Sequence, residues 1–325
     1  MPDIAPWVTF RPGIKVLDCT IRDGGLVNDH MFEDGFVKAV YDTCVEAGID
    51  YMEIGYKASK RIFAPDKFGA WKFCNEDDIR RITDDNPTDL KIAVMADAGG
   101  KCDWRTDILP KEKSIVDMVR VACYANQVAE ALDMINDAHQ KGYETTCNIM
   151  AISIAQDAEI DQALELVAQS PVSTIVVVDS FGSLYSEQIK NLVLRYRKAL
   201  EGTGKEVGIH AHNNQQLAFA NTIEAIINLA NRIDATMGGL GRGAGNCPME
   251  LLMGFLRNPK FKIRPIWKLL QDQFPRLQQE IEWGPYPPYI ITGQFNQHPR
   301  TGIAWRSSEN RDNCLDFYDK CISDV

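Results

Sequence analysis

The chain has 325 residues, 45% of them hydrophobic, with nine cysteines and a formal net charge of −10 at pH 7. That length supports one large core with an extension. A mainly anionic exterior repels phosphates, which disfavours nucleic acid and anionic membranes as partners and favours a small molecule.

The stretch Met1 to Phe10 holds Asp3 and two prolines but neither a basic start nor an apolar run, which predicts no secretory leader and no membrane span. The cysteines are odd in number, dispersed and free of any Cys-x-x-Cys pair. This usage predicts reduced thiols in a cytoplasmic protein.

From Ile14 onward, short β-rich runs alternate with segments of helical period. The predicted strands are Ile14–Thr20, Asp50–Tyr56, Leu90–Ala96, Ile115–Cys123, Tyr143–Met150, Val172–Val178, Glu206–Ala211 and Arg232–Met237. Helical patterns follow them, as at Asp34–Ala47, Asn126–Gln140, Glu187–Leu200 and Leu217–Asn231. Eight βα units over about 240 residues predict an α/β fold of the (β/α)₈ TIM-barrel class, with an open doubly wound sheet as the alternative. Residues 1–257 would form the barrel. Residues 258–325 read as a mainly helical extension, with a helix over Ile266–Glu280 and a loop from Trp283 through Tyr289, packing on the barrel or on a second subunit. A homo-oligomer is therefore expected.

Barrel enzymes place their chemistry at the C-terminal ends of the strands. The seventh predicted strand ends in His210-Ala211-His212, two of the five histidines, and alternate strand residues share a face. The first predicted strand leads into Arg22-Asp23. Two imidazoles and a carboxylate suit a divalent cation with open positions for substrate oxygens, and Arg22 would stabilise a developing enolate oxygen. Glu53 sits in an otherwise apolar strand, where a lone carboxylate is costly, so Arg22 is its expected partner. Cys247 has no histidine near it in sequence and reads as a small buried thiol. The glycine-rich run Gly238–Asn246 reads as a loop bending over a ligand, with Asn246 near a helix N-cap.

Three ordered motifs, Asp18-x-Thr20-x-Arg22-Asp23-Gly24, His210-x-His212-Asn213 and Gly239-x-Gly241-x-Gly243-Ala244-Gly245-Asn246, resemble the signatures of the DRE-TIM metallolyases, the HMG-CoA lyase-like family. The resemblance spans Val16 to Leu256. Val119-Arg120-Val121-Ala122 and Asp179-Ser180-Phe181-Gly182 look closest to its 4-hydroxy-2-oxovalerate aldolase branch. It implies Asp23, His210 and His212 as metal ligands, Asn246 in the metal's surroundings, and Arg22 at the enolate oxygen. It also implies substrate contacts from Thr20, Arg120, Ser180 and Asn213. The implied cofactor is Mn²⁺ or Mg²⁺, with Zn²⁺ and Co²⁺ as further options, and the implied partners are a 2-oxo acid and an aldehyde.

The chain departs from that branch at Leu26, where the aldolase has its histidine base. His30, four residues on, could substitute or could equally be a surface-loop histidine, so the base is unassigned from sequence, and Tyr286 or Tyr289 of the extension could also reach the site. A Claisen condensation of an acyl-CoA with a 2-oxo acid, and a non-catalytic metal-binding barrel, stand as the alternatives to an aldolase.

Overall fold

Apolar β-branched runs flanked by amphipathic helices need cover on both faces, and here that need closes the sheet on itself. The computed structural model describes residues 11–323. Its strands are β1 (Lys15–Asp18), β2 (Tyr51–Tyr56), β3 (Lys91–Asp97), β4 (Met118–Cys123), β5 (Glu144–Ile149), β6 (Thr174–Asp179), β7 (Glu206–Ala211) and β8 (Arg232–Ala235). Each pairs in parallel with its sequence neighbours and β8 returns to β1, with Leu17 opposite Asp234. The barrel is closed, as the βα count predicts; the open-sheet alternative does not hold.

Alternate residues divide the work. Val16, Ile54, Val94, Val121, Val177, Ile209 and Ile233 face the surrounding helices and build the main core with Val40, Ile135 and Val193. The lumen instead carries Leu17, Cys19, Tyr51, Ala93 and Met118 as a small apolar plug. At the N-terminal end, Arg232 pairs with Glu144 at 2.6 Å and Glu206 at 2.5 Å, and Tyr51 donates to Glu144. This network caps the barrel bottom, so the opposite rim is the one left for chemistry.

Local chemistry trims two predicted strands. The main-chain N–H and the hydroxyl of Thr20 both donate to the Asp18 carboxylate, so the chain coils into the helix Thr20–Gly24 instead of extending β1. The last strand stops at Ala235, and the Thr236 N–H donates to the Cys247 carbonyl. In the extension, the loop expected through Tyr289 is cut short because Pro287 and Pro288 open the helix Pro287–Gln294, where a proline's missing N–H costs nothing.

The helix Arg264–Glu280 lies along Asp34–Ala47, with the Phe36 and Phe274 ring centres 6.2 Å apart. The helix Pro287–Gln294 covers the loop after β7, where Asn214 Nδ2 donates to the Tyr289 carbonyl and to Thr292 Oγ1. Met1 to Phe10, read above as lacking a leader, lie outside the described residues. Among the described residues no helix is long and apolar enough to cross a membrane.

Candidate active site

Six side chains from the turn after β1 and from β2, β4, β7 and β8 close a ring across the C-terminal half of the lumen. Arg22 donates from Nε to Glu53 Oε2 at 2.6 Å and from Nη1 to Asp23 Oδ2 at 2.8 Å. Arg120 crosses the lumen, with Nη1 3.1 Å from Glu53 Oε2 and Nη2 2.5 Å from Asp234 Oδ2. His210 completes the circuit: Nδ1 is 3.0 Å from Asp234 Oδ2 and Nε2 is 3.2 Å from Asp23 Oδ2. None of the six exceeds 5% exposure, so each charge here is desolvated and must be answered locally.

With His210 neutral, the two guanidinium groups and three carboxylates of this ring leave one uncompensated negative charge. A proton on His210 or a cation beside Nε2 removes it. Burial disfavours an imidazolium, yet the hydrogen bonds to Asp23 and Asp234 raise the His210 pKa. Burial would likewise raise the Asp23 carboxyl, but Arg22 and the two histidines hold it well below the usual carboxylate range. The arrangement demands positive charge at Asp23.

The remaining donors meet at the same point. His212 is held by its Nδ1, 3.0 Å from the Asp179 carbonyl, and its Nε2 stands 3.5 Å from Asp23 Oδ2 without a hydrogen bond. The ligand atoms of Asp23, His210 and His212 lie within 4.8 Å of one another. Asn246 donates from Nδ2 to the Leu240 carbonyl, leaving its buried Oδ1 without a partner. A buried acceptor and a buried ring nitrogen with nothing to bind fit a cation, since leaving such groups unpaired is otherwise costly.

Asn246 reaches this point through the glycine loop and stands two residues before the helix N-cap, near it as expected. It bridges His212 in antiparallel fashion, and Pro248 occupies the cap of the helix Met249–Phe255. Gly245 makes the return possible at φ +83°, where a side chain would overlap the Gly239 carbonyl. Cys247 is fully buried and burial pushes its thiol up to about 12, the inert state expected for it.

His30 is also at this mouth. It is 1% exposed, neither ring nitrogen has a partner, and its ring meets Tyr56 edge-on at 5.3 Å. A methyl on Gly25 would overlap His30 Nδ1, so the imidazole rests on the turn that carries Asp23. Burial, then Lys72 and Arg22, hold its pKa down at about 3, leaving a neutral base.

Other expected contacts are differently employed. Thr20 spends its hydroxyl on Asp18 and on the Met237 N–H, so it ties β1 to β8 instead of facing a ligand. Asn213 accepts from the Ala218 N–H and lies near Gln216, which commits its carboxamide to the following helix. Arg120 is sealed beneath the ligand cluster between two carboxylates, a positioning role. The Tyr289 hydroxyl donates to Glu282 while its ring stacks over Gly243 of the glycine loop. Ser180 accepts from the Ala151 N–H and keeps its own hydroxyl proton.

Two residues at the site escaped the sequence reading. Asp234 is an acid inside a buried strand, the same signal that singled out Glu53. Arg242 places its main-chain N–H 3.4 Å from Asp23 Oδ1; its guanidinium pairs with His298 at 3.3 Å and leaves a buried Nε free.

The HMGL-like family model matches residues 13–268. An oxaloacetate decarboxylase of Mycobacterium tuberculosis is 29% identical over 243 residues, covering 74% of this chain and 69% of that protein. A 4-hydroxy-2-oxovalerate aldolase of Bacillus cereus is 27% identical over 253 residues, covering 78% of this chain and 72% of its own. Among solved structures, the N-terminal domain of a candidate aldolase from Bacteroides vulgatus superimposes with a TM-score of 0.76 at 26% identity, over 93% of this chain and all of that one. The three motifs that meet at one rim, and a family match running through all eight strands, make this chain a member of the HMGL-like family, the DRE-TIM metallolyases.

Proposed function

We propose that the protein is a divalent-metal-dependent carbon–carbon lyase of the aldolase type, cleaving or forming a 4-hydroxy-2-oxo acid through a pyruvate enolate. The buried ring that is one positive charge short, with the unpartnered His212 Nε2 and Asn246 Oδ1 beside it, carries this reading. Asp23, His210, His212 and Asn246 would hold Mn²⁺ or Mg²⁺, which supplies Lewis acidity to the oxygens of the 2-oxo acid.

In the cleavage direction His30 takes the proton of the C4 hydroxyl. The C4 oxygen becomes a carbonyl, the C3–C4 bond breaks, and its electron pair moves to the C2 oxygen, where Arg22 stabilises the enolate. A proton returned to C3 completes pyruvate beside a released aldehyde. The free Ser180 hydroxyl can meet the 2-oxo acid carboxylate. Both named relatives support this chemistry, because decarboxylating oxaloacetate and cleaving a 4-hydroxy-2-oxo acid each pass through that enolate.

A cytoplasmic location belongs to the same proposal, supported by cysteines that are odd in number, dispersed and without a Cys-x-x-Cys pair, as does self-association, supported by the exposed Trp267 and Leu315 of the extension. The deciding experiment is exchange of the pyruvate methyl hydrogens in D₂O. Exchange should accelerate with Mn²⁺- or Mg²⁺-loaded protein; no exchange with Mn²⁺, Mg²⁺, Zn²⁺ or Co²⁺ overturns the reading.

A further inference from the structure

Beside the ligand cluster, the C-terminal ends of β2 to β5 frame a second wall of the mouth. Tyr56, Met95 and Ala122 pack together there, with Leu26, Phe63, Phe68 and Met150 against them. Lys72, only 7% exposed, aims its ammonium at this wall: Nζ is 4.2 Å from the Phe63 ring centre, 4.4 Å from Tyr56 and 5.7 Å from Phe68. The ammonium has no hydrogen bond and no salt bridge among the described residues, although lysine is almost never buried unpaired. Asp97 at the end of β3 pairs with Lys101 at 3.9 Å and attracts Lys72 only from beyond contact distance. Aromatic faces hold a cation without neutralising it, so Lys72 retains its attraction for an anion.

The cage is contiguous with the ligand cluster. Tyr56 carries Lys72 over its ring and meets His30 edge-on, and His30 rests on Gly25, two residues beyond Asp23. Leu26, Met95 and Met150 make the ground between apolar. A ligand bound at Asp23 and running along β2 to β5 would cross apolar surface and end at an ammonium that no carboxylate contacts directly.

We propose that Lys72, in its cage of Tyr56, Phe63 and Phe68, receives a second anionic group of the substrate, so that the preferred substrate is a 2-oxo acid with a terminal carboxylate beyond an apolar spacer. The proposal rests on the lyase reading for the seat of the 2-oxo end. A cage that only clamped the segment between β2 and β3 would not discriminate among ligands.

Calorimetric titration of the Mn²⁺-loaded full chain with length-matched pairs tests this: 2-oxopentanoate against 2-oxoglutarate, and 2-oxohexanoate against 2-oxoadipate. The parent should bind at least one dicarboxylate about tenfold more tightly than its neutral-tailed counterpart, as a charge-assisted contact implies. K72M should erase that preference while binding of the monocarboxylates holds within about threefold, and K72R should retain most of it. No preference in the parent overturns the proposal. So does equal weakening of both ligands by K72M, or a preference that survives K72M and falls in R242M. Pyruvate exchange on the same preparations separates the two readings: preference without exchange removes the lyase reading alone, and exchange without preference removes the Lys72 site alone.

Discussion

His210 Nδ1 and Asp234 Oδ2 lie 3.0 Å apart, so the carboxylate on β8 fixes which ring nitrogen of the β7 histidine is presented to Asp23. A carboxylate behind a metal-bound imidazole raises its basicity and locks its orientation. D234N should therefore weaken Mn²⁺ binding about 10- to 100-fold, while H210A and H212A abolish it and leave the fold intact. Equilibrium dialysis with metal analysis checks this; equal metal content in H210A and the parent would remove His210 from the ligand set.

Metal binding should stabilise the fold, because the ligand geometry exists only in the folded chain. At a hundred times the dissociation constant, mass action contributes about 2.7 kcal/mol. Thermal melts with and without Mn²⁺ should differ for the parent and coincide for H210A.

Arg22 and Glu53 have separable roles. R22A removes a positive charge beside Asp23, so metal binding should persist while turnover falls about 10²- to 10³-fold with the lost oxyanion stabilisation. E53A leaves two buried guanidinium groups without their shared carboxylate and should cost about 3–5 kcal/mol in denaturant unfolding.

The His30 pKa of about 3 in the fold, against 6.5 ordinarily, makes stability pH-dependent. The unfolded chain accepts a proton below pH 6.5 that the folded chain refuses until near pH 3. Stability must then fall as pH drops through that window. H30N, which does not titrate, should show a smaller loss between pH 7 and pH 5 by denaturant midpoint. Its turnover should fall about 10²- to 10⁴-fold, with metal affinity kept.

Gly25 should phenocopy His30. A methyl there displaces the imidazole, so G25A should lower turnover while metal content stays at the parent level. Parent-like activity in G25A would show that His30 does not act from the place it occupies.

Much of this was legible along the chain. The alternation of β-rich and helical segments fixed eight strands in order, and period-two spacing put His210 and His212 on one face. The lone acid in β2 announced a buried partner. Strand ends were less legible, because the side chain of Asp18 turns the backbone at Thr20, and propensity does not see such a bond. Asn213 and Thr20 read as ligand contacts because they belong to the motifs, yet their short side chains are taken up by nearby groups, Ala218 N–H for Asn213 and Asp18 with Met237 N–H for Thr20.

The sequence by itself therefore determined the barrel and the rim at which Asp23, His210 and His212 gather, because those follow from periodicity and residue chemistry. Only the tertiary structure decided that Arg120 crosses the lumen to Asp234, that His30 stands buried and unpaired against Gly25, and that Lys72 lies among three aromatic rings. Each of these relations joins segments whose distance is set by barrel closure, and charge desolvated by that closure is what gives them their consequence.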